Sequence, residues 1–211
     1  MTAPTPVTGL RKRPTQARAR EKFDRTLDAA AEILVKDGIE AINTPHIAEV
    51  SGVTVGSIYQ YFPNKEAILF ELYQRWLDEA METYVSFSIA HQTKDPTEYF
   101  VDLFLAFAEG RTDFEYRLYT ELTNALRVNK QLQALDRQHE QRLLEKVRAD
   151  AHRLGLEEGR RSRKARNHWA FRLDLVLSLL EMIGRTQPEA RADYIDHAAG
   201  VIRTLSFSTT E

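Results

Sequence analysis

With 211 residues the chain is long enough for one sizeable domain, or for a small domain fused to a larger one. Apolar residues make up 43%, enough for a core without covalent crosslinks, and the absence of cysteine excludes disulfides, thiol nucleophiles, iron–sulfur clusters and redox-sensing thiols. The formal net charge is only −2, yet Arg11, Lys12, Arg13, Arg18 and Arg20 all precede the first acidic residue, so the total conceals a locally positive N-terminus.

Residues 1–16 combine three prolines with the Arg11-Lys12-Arg13 cluster and are expected to form a mobile, disordered basic arm. Met1 to Gly9 has neither the basic nor the apolar region of a secretory signal, and no run of about 18 uncharged apolar residues occurs anywhere. A cytoplasmic protein is therefore expected. From about Ala17 a helical stripe begins, with Phe23, Leu27, Ala30 and Leu34 on one face, ending at Asp37-Gly38. A second helix is expected from Thr44 as N-cap and Pro45 as first helical residue. Gly52-Val53 makes a turn, and Thr54 caps a third helix from Val55 to Tyr61. Asn64 then caps a long helix from Lys65 to about Ala90.

Only helices are expected beyond that point: Pro96 to Glu109, Phe114 to Val128, Lys130 to Arg153, Arg163 to Ile183 and Glu189 to Ser206. The chain therefore reads as all-α with about nine helices. Its expected parts are the arm (1–16), a small domain of three helices (17–64) and a larger helical domain (65–211).

The segment 44–62 has mechanical reasons for its composition. Ala48 allows two helices to cross closely, Gly52 can take a positive φ, and Ile47, Val53 and Ile58 are spaced to pack beneath both helices. The third helix then projects Ser57, Tyr59, Gln60 and Tyr61, a polar face suited to a major groove. Across residues 44–69 the elements Ile47-Ala48, Gly52-Val53, Gly56-Ser57-Ile58-Tyr59, Tyr61-Phe62 and Asn64-Lys65-Glu66-Ala67 fall in one order and spacing. In these the chain resembles the tetracycline-repressor (TetR) family. The resemblance covers roughly residues 20–70; the rest is similar only in being helical and of suitable length.

The resemblance implies that Thr44 and Lys65 bind phosphates and that Tyr59 and Tyr61 touch the DNA backbone and thymine methyl groups. Thr54, Val55, Gly56, Ser57 and Gln60 are then the candidates for base contact, and Gln60 can pair bidentately with adenine. It also implies a twofold dimer built on the last two helices, with Leu173, Val176, Leu177, Leu180, Ile195, Ala198, Ala199, Ile202 and Leu205 at the interface. A small organic effector, largely apolar or aromatic, is expected in the larger domain, where aromatic residues crowd the stretch from Tyr84 to Tyr119. Tyr84, Phe104, Phe107, Tyr119, Asn124, Trp169 and Leu173 are the candidate contacts. The basic run Arg160 to Arg166 reads as a solvated loop or an anion site.

No phosphate loop, dinucleotide-binding glycine motif, nucleophile elbow or zinc-protease motif is found, and His46, His91, His139, His152, His168 and His197 show no helical pairing. Neither enzymatic activity nor a metal or other cofactor is expected. The function expected is that of a ligand-responsive repressor, a homodimer on a palindromic operator, residing in the bacterial cytoplasm and on the nucleoid when bound to DNA. The alternative is a constitutive DNA-binding protein that recruits a protein partner through its C-terminal domain.

Overall fold

A computed structural model describes residues 9–92, 95–156 and 163–205. Among these residues all regular structure is helical: α1 (Ala17–Asp37), α2 (Thr44–Ser51), α3 (Val55–Tyr59), α4 (Lys65–Ala90), α5 (Pro96–Ala108), α6 (Asp113–Leu126), α7 (Lys130–Arg153), α8 (Arg163–Arg185) and α9 (Arg191–Thr204), with single 3-10 turns at Ile39–Ala41 and Pro188–Ala190. The chain separates into two compact units, one of residues 1–76 with 121–135 and one of residues 77–120 with 136–211. The division falls inside α4, between Trp76 and Leu77.

In the first unit α1 buries its expected stripe of Phe23, Leu27, Ala30 and Leu34. Each fully buried large apolar side chain contributes about 1.5–3 kcal/mol. Phe23 stacks on Phe62 with ring centroids 4.7 Å apart and meets Tyr61 edge-on at 6.0 Å. The helix stops at Gly38, whose φ of 78° and ψ of 177° suit glycine alone, and whose N–H donates to the Leu34 carbonyl at 3.1 Å. Ile42, Ile47, Val53 and Ile58 close this small core from above. Leu122, Ala125, Leu132 and Leu135 are also buried in this unit.

In the second unit α5 and α9 pack together and α8 lies against both. Their shared core holds Tyr99, Phe100, Phe104, Trp169, Ile195, Ala198, Ala199 and Ile202. Asp95 caps α5 by accepting from Thr97 N at 2.9 Å and Glu98 N at 3.1 Å. At α6, Glu115 N donates to Thr112 Oγ1 while Thr112 N donates to Glu115 Oε2, a reciprocal capping box. That box starts α6 at Asp113, one residue before the expected Phe114.

Other helix ends move by one to three residues for similar local reasons. The cap of α2 is Asn43, not Thr44: its Oδ1 accepts from His46 N at 2.9 Å, which places Thr44 and Pro45 inside the first turn. Helix α3 ends at Tyr59 rather than Tyr61, and the 3-10 turn at Pro188 delays α9 to Arg191. Of the basic run, Arg160 to Ser162 lie outside the described residues, and Arg163 opens α8 exposed to solvent.

Candidate nucleic-acid interface

The reversal between α2 and α3 is held by local polar bonds. Gly52 sits at φ 64°, in the left-handed region. The positive φ disfavours a side chain there, and a Cβ would also displace the end of the Arg25 side chain, whose Nη2 would stand 2.7 Å away. That guanidinium group reaches across from α1 to donate to the Ser51 carbonyl, a cation at a helix C-terminus where the dipole favours it. Ser51 Oγ in turn accepts from Val53 N at 3.2 Å. Thr54 then caps α3: its Oγ1 accepts from Ser57 N at 3.3 Å and donates to Ser57 Oγ at 2.9 Å. Asn64 caps α4, its Oδ1 accepting from Ala67 N at 2.8 Å.

These bonds leave one face of α3 outward. Thr54, Val55, Gly56, Tyr59 and Gln60 are all exposed, and Val55 and Tyr59 show 38% and 42% of their surface despite being apolar or aromatic. Ser57 is half-buried. No atom lies within 4 Å of where a Gly56 Cβ would stand, so that position is open to an approaching surface. Lys65 is half-buried at the first residue of α4, where the helix dipole opposes a cation. His46 bonds locally, its Nδ1 lying 3.3 Å from the Ala41 carbonyl.

Two of the nine expected DNA contacts sit elsewhere. Tyr61 is 7% exposed, its ring turned inward onto Phe23, and Thr44 is 5% exposed in the first turn of α2. Both follow from packing: Tyr61 lies beyond the end of α3, and Asn43 takes the capping position outside Thr44.

Residues 1–8 of the expected mobile arm lie outside the described residues, and residues 9–16 depart from that expectation. These have no helix but are tied to the first unit: Arg11 N–H donates to the Tyr61 carbonyl at 2.8 Å, and Arg13 Nη2 lies 3.2 Å from Glu71 Oε2. Sequence reasoning also missed Glu71. It falls on the buried stripe of α4 with Ala67, Ile68 and Leu72, and an acid in an apolar stripe is the signal that marks such a residue.

In the second unit the candidate effector contacts separate. Tyr84, Phe104, Trp169 and Leu173 are buried, Phe107 packs half-buried against the same core, and Tyr119 lies against Gly184 on α8. Asn124 is exposed and falls in the first unit. The polar centre is instead Asp150, which sequence reasoning passed over. Its Oδ2 accepts from the hydroxyls of Tyr84 and Tyr99, both at 2.6 Å, and its Oδ1 accepts from Ser88 Oγ at 3.0 Å and Arg153 Nη2 at 3.1 Å. Burial pushes the Asp150 carboxyl up, but these donors together hold it below its ordinary value. Burial and then the bond to Asp150 push Tyr99 up to about 12 and Tyr84 strongly upward. His139, 6% exposed on α7, has an Nδ1 with no hydrogen-bond partner among the described residues, and burial keeps its ring toward the neutral form.

The expected interface stripe of α9 proves to be core: Ile195, Ala198, Ala199 and Ile202 are covered by the chain's own α5 and α8, and Leu173 is buried as well. Val176, Leu180 and Leu205 pack half-buried on the same cluster, and Leu177 is half-buried. On α8 and α9 the large apolar side chains left outward are Phe171 (62%), Met182 (44%), Tyr194 (42%) and Val201 (43%).

No helix among the described residues is long and apolar enough to cross a membrane, and no cluster of metal-ligating side chains occurs among them. Residues 27–72 match the family described as bacterial regulatory proteins, tetR family. The fatty acid metabolism regulator protein of Bacillus subtilis is 36% identical over 63 residues, 30% of this chain and 32% of that protein. The HTH-type transcriptional repressor KstR2 of Mycobacterium tuberculosis is 29% identical over 136 residues, 63% of this chain and 66% of that one. The chain thus spans about a third of the first relative's length and just under two thirds of the second's. Among solved structures, a transcriptional regulator from Rhodococcus sp. Rha1 shares the fold, with a TM-score of 0.70 and 15% identity over 86% of this chain and 93% of that chain.

Proposed function

From the match of residues 27–72 to the tetR family of bacterial regulatory proteins we propose that the chain is a DNA-binding transcriptional repressor of that family, a homodimer released from a palindromic operator by a small organic effector. One observation carries the DNA-binding part: Thr54 caps α3, and Val55, Gly56, Tyr59 and Gln60 stand exposed on the helix it starts. Such a face fits a major groove. Gln60 reads an adenine edge, Gly56 admits close approach, and Lys65 holds a phosphate. Ser57 supports this face through Thr54, and Tyr61 acts through its packing on Phe23.

The second copy docks on the outward apolar side of α8 and α9. Phe171, Leu175, Ser178 and Met182 follow at intervals of 4, 3 and 4 along α8, and Tyr194 and Val201 stand one heptad apart on α9. Two recognition helices related by this axis engage half-sites about one DNA turn apart, ~34–36 Å. DNA binding is assigned to residues 17–64, and effector binding and dimerisation to residues 65–211. The effector is largely apolar or aromatic, set among Phe104, Phe107, Tyr119 and Trp169. The unpaired His139 Nδ1 is a hydrogen-bonding point for its polar group. Helix α4, which supplies residues to both units, transmits a coupling of about 1–3 kcal/mol. As a regulator of the bacterial chromosome it acts in the cytoplasm.

Binding of duplex DNA by the native protein, Lys65→Ala and Gln60→Ala, followed across a salt titration, tests the assignment. Loss of the Lys65 phosphate contact weakens binding to every sequence and lowers the salt slope by about 1, whereas Gln60→Ala changes sequence preference and leaves the slope alone. The reverse pattern would refute the roles given to the two residues.

A further inference from the structure

The basic segment before α1 is held in place by three contacts on the first unit. Arg11 N–H donates to the carbonyl of Tyr61 at 2.8 Å, one residue beyond Gln60. Lys12 Nζ stands 5.6 Å from the centre of the Tyr61 ring. Arg13 Nη2 lies 3.4 Å from Glu71 Oε1 and 3.2 Å from Glu71 Oε2, so one guanidinium nitrogen faces both carboxylate oxygens. Glu71 is 6% exposed, whereas the Arg13 side chain is 71% exposed. The pair is therefore anchored at the α4 end and reached from the arm end.

We infer that Glu71 is a positioning residue for DNA binding: it latches the N-terminal segment through Arg13, so that Arg11 and Lys12 stand beside α3 as a second, backbone-contacting element. The inference rests on the DNA-binding reading above. Its physical basis is the cost of ordering a chain. An untethered basic tail loses its conformational freedom when it meets DNA, whereas one already fixed at Tyr61 and Glu71 does not. A buried carboxylate is otherwise a poor choice for this unit, because its negative charge opposes the field that draws DNA to it. The placement it enforces through Arg13 offsets that repulsion. Arg18 and Arg20 extend the same basic strip into α1, whose first turn contains no acid. Arg20 Nη2 donates back to the Thr15 carbonyl at 2.8 Å and keeps the strip close to the helix.

The sign of one substitution separates this role from plain electrostatics. Glu71→Gln removes a negative charge and leaves every arginine and lysine in place, so simple charge balance makes it bind DNA more tightly. A latch makes it bind about threefold to tenfold more weakly, with a salt slope shallower by about 2, the share of two phosphate contacts. The measurement uses the full chain and a mixed-sequence duplex, with hydrogen exchange of the Arg11 amide as the structural readout; that amide exchanges faster once the latch is open. Arg11→Ala/Lys12→Ala weakens binding to the same degree, and adding Glu71→Gln to it costs nothing further. If Glu71→Gln disturbs folding, Arg13→Gln at the exposed end gives the same loss and the same faster exchange. Equal or tighter binding by Glu71→Gln, with Lys65→Ala still impaired, overturns the latch and leaves the DNA-binding reading standing. A native protein that fails to bind duplex DNA at low salt overturns both.

Discussion

The two units use polar side chains in opposite ways. In the helix-turn-helix, Asn43, Thr54 and Asn64 each bond a backbone N–H three residues away. Those bonds shape the backbone and leave the outward face of α3 to a partner. In the second unit the polar groups turn inward: Tyr84, Tyr99, Ser88 and Arg153 converge on Asp150 and satisfy one another. The Gln60 and Tyr59 side chains on the outward face of α3 stay exposed to solvent. A core that must hold three helices in register commits them all.

Breaking the inward cluster has the largest expected effect. Asp150→Ala strips the acceptor from two buried tyrosine hydroxyls at once and costs about 3–5 kcal/mol, read from urea unfolding. A loss below about 1 kcal/mol would mean that the cluster is wet and contributes little. Next is the outward apolar side of α8. Met182→Glu converts the dimer into a folded monomer, seen as a halved mass in sedimentation with unchanged helical circular dichroism. A dimer that survives the change places the interface elsewhere.

Two glycines sharpen the comparison within the helix-turn-helix itself. Gly52→Ala forces a side chain into the left-handed region and against Arg25, costing about 1–2 kcal/mol of stability. Gly56→Ala meets nothing within 4 Å and gains up to about 1 kcal/mol from helix propensity, while DNA affinity falls at least about tenfold. The same substitution four residues apart thus separates folding from binding. Matching effects at both sites would show that Gly56 serves the fold.

The smallest expected effect is on acid stability. The carboxyl of Asp150 is held lower in the folded protein than in the unfolded chain. Its contribution is present in full above the unfolded value, near pH 4, and is lost as pH falls through the folded one. Asp150→Asn therefore flattens the fall in stability below about pH 4. An unchanged acid limb would assign that fall to other carboxylates.

What could be read in the sequence follows the range of the interactions. The caps at Thr54 and Asn64, the stripe of α1 and the turn at Gly52 are local, so residue types at short spacing reveal them. The Tyr84 and Tyr99 bonds to Asp150 join residues 66 and 51 positions apart, and no local pattern reports such a pairing. A trace was present nonetheless. Leu143, Val147, Asp150 and Leu154 follow at helical spacing, and an acid on that stripe needs buried donors. The stripe of Ile195, Ala198, Ala199 and Ile202 shows the complementary limit, since periodicity says that a face is covered but not by what. It is α5 and α8 of the same chain that cover it.

The central claim is that α3 reads a specific duplex sequence as one half of a twofold dimer. Selection of bound sequences from random duplex DNA by the 211-residue chain, at fixed salt, addresses it most directly. An inverted repeat whose half-sites are spaced by about one helical turn is the predicted result. Recovery of no shared sequence, with binding that varies only with salt, would contradict it.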